Sequence, residues 1–417
     1  MRRLTLGLIG LLCAGVAWAQ TAQDAAPAGG LSGQLRLQWD ERRDSPAGPL
    51  AQANTLAPGI APPAASGATL EALLRTSGRG WNASATLQQT RLGDVSGHRA
   101  WFNELVASHD AGAWQFSAGK KIVAWDVGYA FRPNDVVQQE ERRTLVSTLA
   151  EGRPVLMAEH FDADTAWSLV WVNPTKPSAE AGAQEPALAA RVYWRQGNVD
   201  WHGFARTGAH TRGSLGGAVA WVASDALELH ASARYLSRHD SKVADVSALT
   251  GVAAGSPWQA ATLGSASQLL LGGTWTHESQ FSLLTEAWWD GSALSDSQWD
   301  VWRWRNQTLA GFPLLGVPLA AVAGQLAWQA DAFGASSSLR RANVYLRLSW
   351  EHEGWQPTLD LLYHPADGGH LVTAALLWKG DRVQVQGGLR LAGGPRDAVL
   401  MQLPTRQQAF LAGTWAF

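Results

Sequence analysis

Beyond residue 19 the chain has no cysteine; the single one in the sequence is Cys13. Disulfides, thiolate nucleophiles and cysteine-bound metals are therefore excluded from everything downstream. Long apolar runs are missing too: no later stretch reaches the ~18 uncharged apolar residues of a spanning helix. Charge of one sign is scarce, with a formal net of −2, too mild to point to nucleic acid or an acidic partner. G-x-S-x-G, H-E-x-x-H, a P-loop and a G-x-G-x-x-G in a βαβ setting are all absent, which removes the commonest sequence signatures of catalysis and nucleotide binding. His98, His109, His160, His210 and His239 lie at expected strand ends or in loops without metal-ligand spacing, so neither a metal nor a cofactor is expected.

What is present begins with an export signal. Arg2 and Arg3 form a basic start, Leu4 to Val16 an apolar stretch, and Ala17-Trp18-Ala19 a small-x-small cleavage site, the pattern of a secretory signal peptide over residues 1–19. Leu12 stands where a lipoprotein signal needs a small residue, so Cys13 is not expected to be lipidated. Cleavage leaves residues 20–417 with 31 basic and 35 acidic residues, a net of −4. Tryptophan is abundant, 23 in all with one in the leader. Its half-buried ring and wet N–H suit membrane interfaces. An exported, cysteine-free chain rich in Trp and Gly fits a transmembrane barrel, with a secreted carbohydrate-binding β-protein as the competing class.

Segments of about ten residues alternate at period two, the spacing of a two-faced strand. Leu31, Gly33, Leu35, Leu37 and Trp39 alternate with Ser32, Gln34, Arg36 and Gln38. Leu227, Leu229, Ala231, Ala233 and Tyr235 alternate with Glu228, His230, Ser232 and Arg234. The pattern recurs around Val344–Trp350 and Val383–Leu391. Many such segments with a polar face, and no helices to cover the other, favour a closed barrel. Eighteen strands are expected between residues 31 and 417, with 16 to 20 possible, joined alternately by short turns and longer connections. Bacterial barrels carry an even strand number, with short turns on the periplasmic side and long loops outside. That parity decides Ala320 to Asp331: a strand there would make nineteen, so 290–338 is assigned to one long external excursion. Within it, Ser295 to Gln307 reads as a helix with Ser295 as N-cap and Asp296 in the first turn. Glu41 to Ser66, rich in Pro, Ala and Gly, reads as a mobile outer loop.

The last residues, Gln407 to Phe417, place Ala409, Leu411, Gly413, Trp415 and Phe417 on one face. This ending resembles the C-terminal signature of Gram-negative outer-membrane β-barrel proteins, in which Trp415 and Phe417 would be the assembly signal read by the barrel-assembly machinery. Gly119 to Asp135 (G-K-K-I-V-A-W-D-V-G-Y-A-F-R-P-N-D), Trp288 to Trp299 and Leu361 to His370 resemble patterns in uncharacterised porin-like outer-membrane families. There a W-G-x-G-Y is followed by an aromatic-x-P-x-D loop; here Asp126 stands in place of the usual Gly. The resemblance implies an all-β transmembrane antiparallel barrel, outer-membrane lipid as its surroundings, and passage of small hydrophilic solutes.

Porin-like barrels often fold one loop into the lumen. The connection 123–154 is expected to do so, with Trp125, Asp126, Arg132, Asp135, Glu140, Glu141, Arg142 and Arg143 forming a constriction. Its alternative is a loop over the outer rim with solvated charges. The inward positions of the strands carry Arg36, Arg191, Arg195, Arg206, Arg234, Arg347 and Arg390 against Asp200, Glu228, Glu286 and Asp360. Arginine in a watery lumen is well hydrated, whereas on the lipid face it would cost about 2–4 kcal/mol at the midplane. Opposed charges across a pore orient solutes and tune ion selectivity; the same residues could instead pair along the wall and stiffen it. Two other functions compete with a solute channel: export of a polymer such as a polysaccharide, and a barrel enzyme using pairs such as His230 with Glu228 or His202 with Asp200. No catalytic residue is assigned.

Overall fold

A computed structural model describes residues 30–61, 65–139, 150–245 and 251–417. The expected signal peptide, residues 1–19, lies outside the described residues, as do Glu140, Glu141, Arg142 and Arg143.

Strand follows strand along the chain: β1 (Leu31–Asp44), β2 (Gly67–Gly78), β3 (Trp81–Leu92), β4 (Val95–Ala111), β5 (Trp114–Lys121), β6 (Arg153–Phe161) and β7 (Thr165–Val172). Then come β8 (Ala187–Gln196), β9 (Val199–Gly208), β10 (Arg212–Ser224), β11 (Leu227–Leu236), β12 (His239–Ala244), β13 (Trp258–Leu263), β14 (Ala266–Thr276) and β15 (Phe281–Asp290). The series ends with β16 (Ala342–Trp350), β17 (Trp355–Tyr363), β18 (His370–Lys379), β19 (Val383–Gly393) and β20 (Thr405–Ala416). All but β12 and β13 form one 18-stranded antiparallel sheet that closes where β1 pairs with β20. Gly33 and Phe417 complete the seam with reciprocal backbone hydrogen bonds of 2.9 and 3.0 Å. Closure leaves no edge strand, the condition for a sheet in hydrocarbon.

The alternation of the sequence becomes the two faces of this wall. Leu37 stands opposite Leu70 and points outward, while the neighbouring pair Arg36 and Glu71 points inward. The outer face is a continuous surface of exposed Leu, Val, Phe and Trp. Trp81, Trp114, Trp167, Trp194, Trp201, Trp221, Trp275, Trp350, Trp355 and Trp415 flank the short turns or the C-terminus. They make an aromatic girdle at that rim, as at the interface of a transmembrane barrel. The turns themselves are sharp; Gly197 adopts φ 60° at the first position of the two-residue hairpin between β8 and β9, a conformation that glycine takes without strain.

Two expectations about connections are corrected, that of a mobile loop and that of strictly alternating short and longer connections. Glu41–Ser66 is not simply a mobile loop: β1 runs on to Asp44, and helix α1 (Pro49–Leu56) follows with Pro49 in its first turn and Ala53 fully buried. Not every odd-numbered strand is followed by a long connection, because β3 and β4 are separated only by Gly93 and Asp94. The segment between β11 and β14 carries a hairpin of its own, β12 with β13, outside the barrel sheet. The excursion after β15 is helical, as Ser295 suggested: α2 (Asp296–Gly311) and α3 (Leu319–Trp328). Ser295 caps α2 in a reciprocal box with Gln298, satisfying amides that the first turn leaves open. Ala320 to Asp331 is thus helix and 3-10 turn rather than strand.

Candidate functional site

All eleven candidate pore residues lie on the inner face, at positions alternating with the exposed apolar ones. Several pair along the wall. Arg36 meets Glu71 at 2.8 Å, Arg347 meets Asp360 at 3.7 Å, and Arg195 lies 3.9 Å from Asp200. Tyr193 donates to Asp200 at 2.7 Å and Arg191 contacts His202 at 3.2 Å. Arg206 binds Glu185 at 3.0 Å with both side chains buried. Glu185 lies in the connection before β8. Burial pushes its carboxyl pKa up, but the Thr211 amide and hydroxyl, the His210 amide and Arg206 more than reverse this, leaving it below the usual glutamate value.

After β5 the chain turns onto the inner wall. Val123, Trp125, Val136 and Val137 pack against Val155 and Met157 of β6, Val170 and Val172 of β7, Ala189 of β8, Phe204 of β9 and Ala218 of β10. Here the inner face carries an apolar patch, a departure from the polar inner face expected of many strands. A readable sign existed: Val155-Leu156-Met157 and Leu169-Val170-Trp171-Val172 are unbroken apolar runs, the mark of strands covered on both faces.

From this base a tight turn crosses further strands. Asp126 closes it, accepting from the amides of Val127 and Asn134 at 2.9 and 2.5 Å and from the Ser232 hydroxyl of β11 at 2.8 Å. Asn134 donates to Ser232 at 2.8 Å, and Arg234 holds the Pro133 carbonyl at 3.0 Å. Arg206 donates to the Val136 carbonyl at 2.7 Å. At the tip, the amides of Tyr129 and Ala130 reach Glu286 of β15 at 2.5 and 2.7 Å. Phe131 stacks on Trp288 with centroids 5.6 Å apart, Tyr129 on Tyr345 at 5.8 Å, and Arg347 donates to the Tyr129 hydroxyl.

Of the expected constriction residues, Trp125, Asp126 and Asp135 are therefore buried in this packing, and Arg132 is half-buried with its guanidinium on the Gly128 carbonyl at 2.7 Å. Ser232, Asn134, Tyr129 and Tyr345 belong to the same arrangement and were not singled out from sequence. Their partners lie too far along the chain for any local pattern to reveal them.

On the other side of the lumen the wall differs. Arg347, Asp360, Thr373, Arg390 and Gln408 stand opposite one another in turn across β16 to β20. This makes a polar row at one level, with Arg390 donating to Thr373 at 3.0 Å. Arg36, Gln38, Asp40 and Glu71 continue the polar wall on β1 and β2; Gln408 donates to Asp40 at 2.8 Å. Segment 122–139 meets this row at its β16 end, where Arg347 donates to the Tyr129 hydroxyl.

The rim of long connections carries a packed layer. Leu294, Trp299, Trp302, Ala332, Ala335 and Val399 form one cluster, flanked by Trp258 of β13. Ala53 of α1 joins Leu309, Val322, Ala323 and Leu326 in a second. Arg340 lies 3.2 Å from Asp296 and 3.6 Å from Asp367, which accepts from the Val399 amide at 3.0 Å. Five connections are thereby joined: those after β1, β11, β15, β17 and β19. Among the described residues no group of three or more acidic, His or Cys side chains could hold a metal.

No protein-family model matches the chain, and no curated protein sequence matches it. Solved structures do. The barrel is similar to Acinetobacter baumannii OccAB1, with TM-score 0.56 and 8% identity over 95% of this chain and 98% of that one. It is also similar to OccAB2 of the same organism, with TM-score 0.52 and 8% identity over 95% and 99%. At such identity what is shared is the fold, which in this chain is a closed 18-stranded antiparallel barrel.

Proposed function

We propose that the protein is a porin-like channel of a Gram-negative outer membrane, and that it passes small hydrophilic solutes. An 18-stranded barrel is wide enough for an aqueous path unless it is filled. The observation that carries the reading is the division of the inner wall. Segment 122–139 occupies the side from β6 to β16, leaving a polar path along β17 to β20 and β1 to β3. In this reading the segment narrows the lumen, and Arg347, Asp360 and Arg390 face what passes. Low-dielectric walls focus the field of such charges. The pair that suggested an enzyme, His230 with Glu228, is tied to buried Glu286. Trp415 and Phe417, half-exposed on the outer face at the seam, are assigned to recognition by the barrel-assembly machinery. The deciding measurement is single-channel conductance in planar bilayers: discrete steps, reduced in amplitude by a solute that enters, support the channel. Their absence from correctly folded protein removes it.

A further inference from the structure

Glu286 stands out among the inner-wall carboxylates. It is 1% exposed, and its two oxygens accept from two consecutive backbone amides, Tyr129 at 2.5 Å and Ala130 at 2.7 Å. Bonds to an ionised carboxylate are stronger than those to a neutral acceptor. One of the oxygens also receives His230 Nε2 at 2.9 Å, and His230 Nδ1 lies 3.1 Å from both oxygens of Glu228.

His230 and Glu286 are not on neighbouring strands. β14 lies between them, and the residue paired with both is Gly272. A Cβ there would come within 2.3 Å of His230 Nε2 and 2.7 Å of the Glu286 side chain. The glycine is therefore a window through which the two groups meet across an intervening strand. The tip that they hold is equally constrained: a Cβ on Gly128 would lie 2.0 Å from the Phe131 carbonyl oxygen.

The tip also stacks, Phe131 on Trp288 and Tyr129 on Tyr345, and Arg347 donates to the Tyr129 hydroxyl, but Glu286 is the side chain that holds its backbone amides; the shoulders are held separately. Asp126, Pro133 and Asn134 bind β11 through Ser232 and Arg234. Tyr129 and Ala130 extend furthest, to β15 and β16, where the uncovered side begins.

We propose that Glu286, seated against His230 through the Gly272 window, is the positioning residue that latches the tip of segment 122–139 across the lumen. It thereby fixes the width of the open path. This rests on the channel reading for its consequence, though not for its geometry. Without the latch the shoulders still hold the segment, while the tip keeps only its ring stacking and the Arg347 contact, so it moves more and the path fluctuates in width.

The test joins two measurements on the full-length protein in detergent and in bilayers. Amide hydrogen exchange at Tyr129 and Ala130 is compared between wild type, Glu286→Ala, Glu286→Gln and Gly272→Ala. The expected result is exchange faster by about tenfold or more at those two amides in Glu286→Ala. The amides of Thr285 and Ala287 should keep their rates, as should the heat-modified gel mobility of the barrel. Gly272→Ala, which leaves both charged groups in place, should give a smaller increase at the same amides. In bilayers Glu286→Ala should raise conductance and open-channel noise together, and Glu286→Gln should fall between it and wild type. Unchanged exchange at Tyr129 and Ala130 in a folded Glu286→Ala or Glu286→Gln barrel overturns the latch. Absence of conductance steps in wild type overturns the channel and leaves the exchange result to stand by itself.

Discussion

The two sides of the lumen are built from the same kind of strand and serve different ends. On β6 to β10 the inward residues include an apolar patch, Val155, Met157, Val170, Val172, Ala189, Phe204 and Ala218, which buries the apolar side chains of another segment. On β16 to β20 one inward row is Arg347, Asp360, Thr373, Arg390 and Gln408, which bonds along the wall and meets the segment only at Arg347 among the contacts described. The first side behaves as a protein core, in which apolar burial and satisfied polar groups set the geometry. The second is polar wall of the kind that lines a lumen. A barrel needs both to hold a channel narrower than its cylinder.

The largest effect should come from removing what separates the sides. Replacing residues 126–149 with a short Gly-Ser linker should raise single-channel conductance severalfold. An unchanged conductance in a properly folded barrel would erase the distinction between the two walls.

Next in size is a charge placed on each side. Val170→Asp puts an unpaired carboxylate at a fully buried position and should lower the unfolding temperature sharply, because a buried lone charge costs several kcal/mol. Thr358→Asp, inward and half-buried on the other side, should leave it nearly unchanged. Heat-modified gel mobility reads both, and equal losses would break the comparison.

The ion pair under the outer rim gives an intermediate effect. Glu185→Ala strands Arg206 in a buried site, at a cost of about 3–5 kcal/mol. The pH dependence follows from the lowered pKa of Glu185. Its folded value lies below its unfolded one, so its contribution is full above the ordinary glutamate range near ~4.3. It is lost as pH falls through the lower folded value. Thermal unfolding measured from pH 7 downward should show this loss in wild type, and Glu185→Ala should lack that component.

A subtler change separates the charges that face the path from those under the segment. Arg390→Glu should shift ion preference towards cations. Arg234→Gln, whose guanidinium is held by Pro133 and Ser214, should shift it much less. The first shift should shrink at high salt, where screening lengths fall to about 3 Å at 1 M. Reversal potentials across a salt gradient give the answer, and equal shifts would place both arginines in the same water. Smallest of all, Glu228→Gln with His230→Gln should leave any lipid or peptide hydrolysis at background. An activity that vanishes with the pair would restore the enzyme reading.

Much of this was legible in the chain. The strand number followed from period-two alternation and the parity of short and long connections. The Ser295 helix followed from its capping residues, and the inward position of each arginine from its neighbours. What escaped was more specific. The helix at Pro49–Leu56 is hidden in a Pro/Ala/Gly-rich stretch, because its Ala53 is buried by Leu309 and Val322, some 250 residues on. The β12–β13 hairpin is short and packs against the outer helical layer rather than the barrel. The apolar runs of β6 and β7 are visible in the sequence, but the segment that covers their inner face is not, because Val123, Trp125, Val136 and Val137 pack there only in the folded chain.

The sequence by itself determined the cylinder. Each strand carries its own two faces, and closure depends only on pairing neighbours in order, so local information suffices. Only the tertiary structure decided which part of the inner wall is covered. Tyr129 meets Glu286 across 157 residues, and Asn134 meets Ser232 across 98. Contacts of that separation leave no periodic trace in either partner. They form only after the wall exists to receive them, and they settle that Arg206, Arg234 and Arg347 bond the segment.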